Sequence, residues 1–268
     1  MFKDITIGQY VRGESFVHSL NPTVKLICFL LVMIAIFLCR TPGDAGLVAL
    51  FFFLSALFTG IPITYLMKGI RPLAFLIFLT FFLQLFFGGT GPTGVSRVIF
   101  TLGPLEATQY GLEKGLEVLF RLLFLVMFTS VLTLTTTPIS LTFGIEKLLS
   151  PFNRMGLPVH EFALMLTIAL RFIPTLVMEA DKIVKAQKAR GADFESGGLI
   201  SRVKNFLPLL IPLFLNSFKR AEELSLAMEV KCYTGGEGRT RMKSYPVKGR
   251  DLLAFIAVCA ILSGVVFY

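Results

Sequence analysis

A chain of 268 residues that is 54% hydrophobic, with a mean hydropathy of +0.76, is too apolar for an ordinary soluble domain and too short for two large ones. Its formal charge of +9 is unevenly spread, because 17 of the 26 Lys and Arg lie between Pro138 and Arg250, against 10 of the 17 Asp and Glu. Several runs approach the roughly 20 apolar residues that cross a bilayer core, and a basic block beside such runs marks the cytoplasmic side. These basic residues alternate with long apolar faces instead of forming a solvated stripe with stacking aromatics, which argues against nucleic acid as a partner.

Cys28, Cys39, Cys232 and Cys259 show no CxxC or zinc-like spacing and three sit in or beside apolar runs, so free thiols are expected, with no disulfide framework and no metal. Residues 1–21 are polar and mixed and contain no apolar leader core, so they read as the start of the mature chain.

In chain order, Asn21-Pro22 is a turn followed by a helix start, with Pro tolerated in the first helical turn. A first span is expected from about Val24 to Cys39, with Lys25 snorkelling at its inner end. Arg40-Thr41-Pro42-Gly43-Asp44 reads as a tight external turn before a second span, about Ala45 to Thr59. Gly60-Ile61-Pro62 ends that span, Lys68 and Arg71 mark a cytoplasmic loop, and Pro72 opens a third span to about Phe87. Gly88-Gly89-Thr90-Gly91-Pro92 stops it. Residues 90–115 read as a mostly polar outer connection. Gly111 and Gly115 have the small-xxx-small spacing that packs helices closely, but their place at the membrane edge favours a tight turn. A fourth span follows from about Leu116 to Leu134, with Arg121 snorkelling one turn inside its outer end.

The character then changes. Thr135-Thr136-Thr137-Pro138 closes the span and opens an amphipathic segment to about Met155, and Gly156-Leu157-Pro158 breaks it. A helix of about thirty residues is expected from His160 to Arg190, with Thr167, Arg171, Thr175, Glu179 and Lys182 on one polar stripe. Asp193 to Gly198 is a loop. A second long helix runs from about Leu199 to Lys231, with Val203, Leu207, Leu210, Phe214, Phe218, Ala221, Leu224 and Met228 at helical spacing. Pro174 in the first and Pro208 and Pro212 in the second are expected bends. Both helices read as interfacial. Gly235 to Arg241 is a basic linker, and a last span runs from Leu252 to Phe267.

The expected fold is therefore an all-α integral membrane protein, with about five transmembrane helices and long amphipathic cytoplasmic helices. Residues 1–137 hold the polar entry and four spans, 138–250 the cytoplasmic region, and 251–268 the final span. The localisation that follows is a multi-pass protein of a cell membrane, in contact with the lipid bilayer.

Two helix ends stand out. Arg190 precedes Gly191, and Lys231 lies just before Gly235-Gly236. A cation in the last turn with Gly beyond it is what any helix C-terminus prefers, through carbonyl capping and the macrodipole. Two such ends on one cytoplasmic arm also suit docking into acidic grooves of two partner proteins.

The motifs around these ends carry a resemblance. The chain resembles the transmembrane T component of energy-coupling factor (ECF) transporters, importers of vitamins and some metal ions. The matching residues are Gly8-Gln9-Tyr10, Ser15-Phe16-Val17-His18, Asn21-Pro22 with Lys25-Leu26, Leu170-Arg171-Phe172-Ile173-Pro174, Gln187-Lys188-Ala189-Arg190-Gly191, and the run from Ala227 to Arg241. They cover essentially the whole chain. In that family, an Ala-Arg-x motif ends each of two coupling helices and docks into one of two ABC-type ATPase subunits. The resemblance thus implies docking by Ala189, Arg190 and Gly191, and by Val230, Lys231 and Cys232 where Ala-Arg-x is expected. Lys keeps the charge there but not the bidentate fork of Arg. It also implies a substrate-binding membrane subunit, the S component, as third partner, reoriented by ATP hydrolysis to deliver a vitamin or other micronutrient.

Catalysis by this chain is not expected. No G-x-x-x-x-G-K-[ST] is present to hold a nucleotide, His18 and His160 lack HExxH spacing, and no cofactor is implied. A stand-alone secondary transporter would want ionisable groups at mid-membrane, and a membrane enzyme a convergent cluster of His or carboxylates. Both remain alternatives.

Overall fold

The computed structural model describes residues 10–11, 13–39, 41–87, 98–102, 105–192, 198–236 and 245–267. The described chain is helical apart from a short hairpin. In order come α1 (Pro22–Leu38), α2 (Pro42–Thr59), α3 (Ile63–Lys68), α4 (Ala74–Phe87), β1 (Val98–Leu102), β2 (Leu105–Thr108), α5 (Gln109–Thr135), α6 (Pro138–Leu149), a 3-10 turn (Ser150–Met155), α7 (Val159–Ala189), α8 (Leu199–Val230) and α9 (Gly249–Phe267).

Capping chemistry explains where the elements begin, and it corrects two expectations. Thr41 accepts from the Asp44 backbone N–H while the Asp44 carboxylate accepts from the Thr41 N–H, a reciprocal capping box. Of the residues expected as an external turn, Thr41 is therefore the N-cap and Pro42, Gly43 and Asp44 the first turn of α2, while Arg40 lies outside the described residues. Thr108 likewise caps α5 through the Gly111 N–H, so the helix starts seven residues before the expected Leu116. Gly111 and Gly115 consequently lie inside a helix and not in a turn. A Cβ on Gly111 would stand 2.7 Å from the Leu85 carbonyl oxygen, and one on Gly115 would stand 3.2 Å from the Phe81 ring. The small-xxx-small spacing is the seam that lets α5 approach α4. Ahead of it, β1 and β2 pair antiparallel, Leu102 opposite Leu105.

Four helices are long and apolar enough to cross a membrane: α2, α5, α7 and α9. Helices α1 and α4 are apolar but shorter, at 17 and 14 residues. Together they make an all-α multi-pass membrane protein. The inclusion of α7 was not expected, because the polar stripe of its second half masks an apolar first half.

The described residues fall into two compact units, 10–145 with 245–267, and 146–236, and the division falls within α6. In the first unit, Val32 and Ile36 of α1, Val48 and Phe52 of α2, Phe124, Phe128 and Val131 of α5, and Val258 of α9 form one core. Phe52 meets the Phe124 and Phe128 rings edge-on, at centroid distances of 5.6 and 5.3 Å.

A polar node holds the ends of this core. Asn21 caps α1 through the Thr23 N–H and donates its amide to the Tyr245 carbonyl at 2.7 Å. Buried Asp251 accepts the backbone N–H groups of Asn21 and Lys248, both at 2.7 Å, and so ties the start of α1 to the start of α9. Lys25 does not snorkel. It is buried, and its ammonium donates to the Thr135 carbonyl at 2.9 Å, occupying an orphan acceptor at the end of α5. Before α1, Val11 donates its N–H to the Leu134 carbonyl, and His18 lies between the Ser15 hydroxyl and the Val11 carbonyl at 2.6 and 3.0 Å. Burial pushes the His18 pKa down, which keeps the ring in the neutral form that accepts from Ser15 and donates to Val11.

Arg121 is also better partnered than expected. Its guanidinium bonds Glu117 at 2.7 Å, Glu117 also takes Lys114 at 2.6 Å, and the guanidinium carbon lies 5.7 Å from the Phe37 ring centroid.

Candidate docking site

The second unit holds α7 and α8, and both end in the same way. At the end of α7, Arg190 is the C-cap and Gly191 follows in the left-handed region at φ 88°. The Gly191 N–H donates to the Lys188 carbonyl at 3.0 Å, and the Ala192 N–H reaches back to the Gln187 carbonyl at 3.0 Å. This is a Schellman motif.

Helix α8 repeats it residue for residue. Lys231 is the C-cap, Cys232 follows at φ 54°, the Cys232 N–H donates to Glu229 at 2.8 Å, and the Tyr233 N–H donates to Met228 at 2.9 Å. Ala189 and Val230, Arg190 and Lys231, and Gly191 and Cys232 thus occupy equivalent positions. All six are exposed, Val230 by 83%.

The ends differ in charge. Lys182, Lys185 and Lys188 precede Arg190 along α7, whereas Glu222, Glu223 and Glu229 precede Lys231 along α8.

Among the described residues, an ion pair joins the two helices, Arg220 of α8 with Glu179 of α7. Glu179 lies ten residues before Ala189, and Arg220 ten residues before Val230. Each arm beyond the pair is therefore about 15 Å long at the α-helical rise. The sequence placed Glu179 on a polar stripe of α7; its partner lies 41 residues away on the other helix. Helices α7 and α8 run without interruption through Pro174, Pro208 and Pro212.

After α8 the chain returns to the start of α7, where Gly236 packs so closely on the His160 ring that a Cβ there would lie 2.4 Å from it. His160 in turn bonds Glu146 at 3.0 Å. The remainder of the expected basic linker, from Glu237 on, and most of the loop expected at Asp193 to Gly198 lie outside the described residues. Among the described residues, no group of three His, Cys, Asp or Glu side chains is placed to hold a metal ion.

Comparison with known proteins bears directly on these two ends. A family model described as "Cobalt transport protein" (CbiQ) matches residues 13–242, a range that contains both of them. The chain is 50% identical over 261 residues to a protein of Heliobacterium modesticaldum, covering 97% of this chain and 96% of that one. It is 49% identical over 255 residues to one of Thermosediminibacter oceani, covering 95% and 94%. It is 43% identical over 268 residues to one of Bacillus subtilis, covering 100% and 99%. All three are named "Energy-coupling factor transporter transmembrane protein EcfT".

The chain belongs to the EcfT family. An EcfT protein is the transmembrane component of an ECF transporter, so this chain is a multi-pass membrane subunit of such a transporter. Sequence reasoning found both helix ends of this EcfT member. It missed the Glu179–Arg220 pair, since no local spacing announces a bond across 41 residues, and it missed Asp251, whose role depends on the meeting of two distant helix starts.

Proposed function

We propose that this EcfT member couples ATP hydrolysis by two cytoplasmic ABC-type ATPase subunits to reorientation of a substrate-binding S component, for uptake of a vitamin or other micronutrient. The observation that carries this reading is the equivalence of the two helix ends. One Schellman-capped, exposed cation is ordinary helix termination. Two that match at every position, at equal distances from the ion pair joining their helices, suit one device with two similar receptors.

Each tip enters an acidic groove of one ATPase, Arg190 through a bidentate pair and Lys231 as a single point charge. The lysines ahead of Arg190 and the glutamates ahead of Lys231 fit grooves of unequal acidity, and so two different ATPases. Closure of the ATPase pair shifts the arms, with Glu179–Arg220 as pivot and with Pro174, Pro208 and Pro212 as the places where the helices bend. No residue of this chain takes part in hydrolysis.

The test is a detergent pull-down of the full-length chain, wild type against Arg190→Glu and Lys231→Glu, with partners identified by mass. Two ATPases are expected with wild type. Each reversal should lower retention of one of them by about tenfold or more, since losing a charge-assisted contact and gaining a repulsion costs a few kcal/mol. Arg190→Glu is expected to cost more. Retention of both ATPases by both variants at the wild-type level would leave the two cations as helix caps and nothing else.

A further inference from the structure

The unit formed by residues 10–145 and 245–267 contains a cavity of about 400 Å³ that the docking ends do not use. Its floor is buried and apolar, made by Val32 of α1, Phe128 and Val131 of α5, and Val258 of α9. Its rim is exposed: Leu54 and Phe58 of α2 at 45% and 59%, and Leu253 of α9 at 64%. The cavity therefore opens sideways between two helices that are apolar and long enough to cross a membrane. Phe16, whose ring centroid lies 6.0 Å from that of Phe58, also lines the cavity at the end where the chain enters α1.

The polar groups in the lining are already engaged. Lys25 donates to the Thr135 carbonyl, Ser55 to the Phe52 carbonyl, and Thr135 to the Val131 carbonyl. An occupant finds hydrocarbon on every side, so it must itself be hydrocarbon. The α1 lining runs from Lys25 to Val32 and the α5 lining from Phe128 to Thr135. Seven residues of helix make the cavity about 10 Å deep along the helix axes. A volume of about 400 Å³ over that depth makes a slot that runs along the helix axes. Lined by hydrocarbon and open between α2 and α9, the slot suits an acyl chain.

Charge says which end the headgroup takes. Arg250, exposed, stands one turn before Leu253 on the face of α9 that also carries Ala254 and Ala257, and Lys248 is exposed beside it. We propose that this cavity is the site of an anionic phospholipid from the surrounding bilayer, with its tail between α2 and α9 and its phosphate on Arg250.

The test is native mass spectrometry of the full-length chain in detergent, titrated with palmitoyl-oleoyl phosphatidylglycerol or with the matching phosphatidylcholine. Wild type should retain one phosphatidylglycerol, with a preference over phosphatidylcholine of about fivefold, the attraction that one basic residue offers an anionic surface. Ala257→Phe and Ser55→Phe, which fill the cavity from opposite walls, should lose retention of both lipids. Arg250→Gln should keep one lipid and lose the preference. Equal retention of the two lipids by wild type, an unchanged preference in Arg250→Gln, or wild-type retention by the filled variants would each overturn the proposal. Arg250 is an exposed side chain, so its variant keeps the test decisive even should a phenylalanine variant misfold.

Discussion

Cys232 occupies a position that a side chain disfavours. Its φ of 54° is the only positive value among described non-glycine residues, and the equivalent position in α7 is Gly191. A Cβ in the left-handed region costs on the order of 1 kcal/mol, which Gly avoids. Cys232→Gly is therefore expected to tighten the end of α8, slowing amide exchange at Cys232 and Tyr233 by about fivefold, the equivalent of that energy in the local opening equilibrium. Faster exchange in the variant would mean that the Cys232 side chain makes a contact worth more than the backbone relief. The sequence displayed the cation and the glycines near this site. It did not display that Cys232, rather than Gly235, is the residue that turns the chain, because a non-glycine left-handed residue has no signature of its own.

At the scale of elements, most of the helices were legible, since apolar runs bounded by Pro and Gly have few other readings. The start of α5 was not. Thr108 has the chemistry of an N-cap, but its signal lies before a weakly apolar first turn and beside two glycines that invite a turn. The seam of α4 and α5 gives this a measurable consequence. On an open helix surface, Gly→Ala stabilises by roughly 0.5–1 kcal/mol. At Gly111 the added methyl would press on two backbone carbonyls, Leu85 at 2.7 Å and Gln84 at 2.9 Å, which can yield only if the helices part. At Gly115 it would meet a ring at 3.2 Å, which can tilt. Gly111→Ala should lower stability by about 1–3 kcal/mol, the usual cost of overpacking, and Gly115→Ala should be close to neutral. Thermal unfolding of the two variants in the same detergent decides it; equal midpoints would mean that α4 is not held against α5 at Gly111.

For the whole molecule, the family was legible because its signature lies in short local motifs at the two helix ends, and those need no tertiary structure to be read. What joins the ends was not legible, because Glu179 and Arg220 look like two more charges on two amphipathic stripes. On the function proposed above, their pairing separates two things that the two helix ends alone would confound, attachment of the ATPases and transmission of their motion. Glu179→Gln removes the charge and keeps the shape, ten residues away from the tip. In proteoliposomes containing the whole transporter, this variant should retain both ATPases and hydrolyse ATP, while uptake per ATP falls by about fivefold to tenfold, on the scale of one charge-assisted hydrogen bond. Exchanging the pair, Glu179→Arg with Arg220→Glu, should recover part of the loss, which a merely local destabilisation of α7 would not. Pro174→Ala, five residues before the pivot, is the companion test of bending and should lower the same ratio without loosening either ATPase. Wild-type uptake per ATP in Glu179→Gln would leave the tips as docking points and remove the pivot from the mechanism. A loss of ATPase retention in that variant would instead place Glu179 in the support of the tip, since the two roles differ in which quantity moves first.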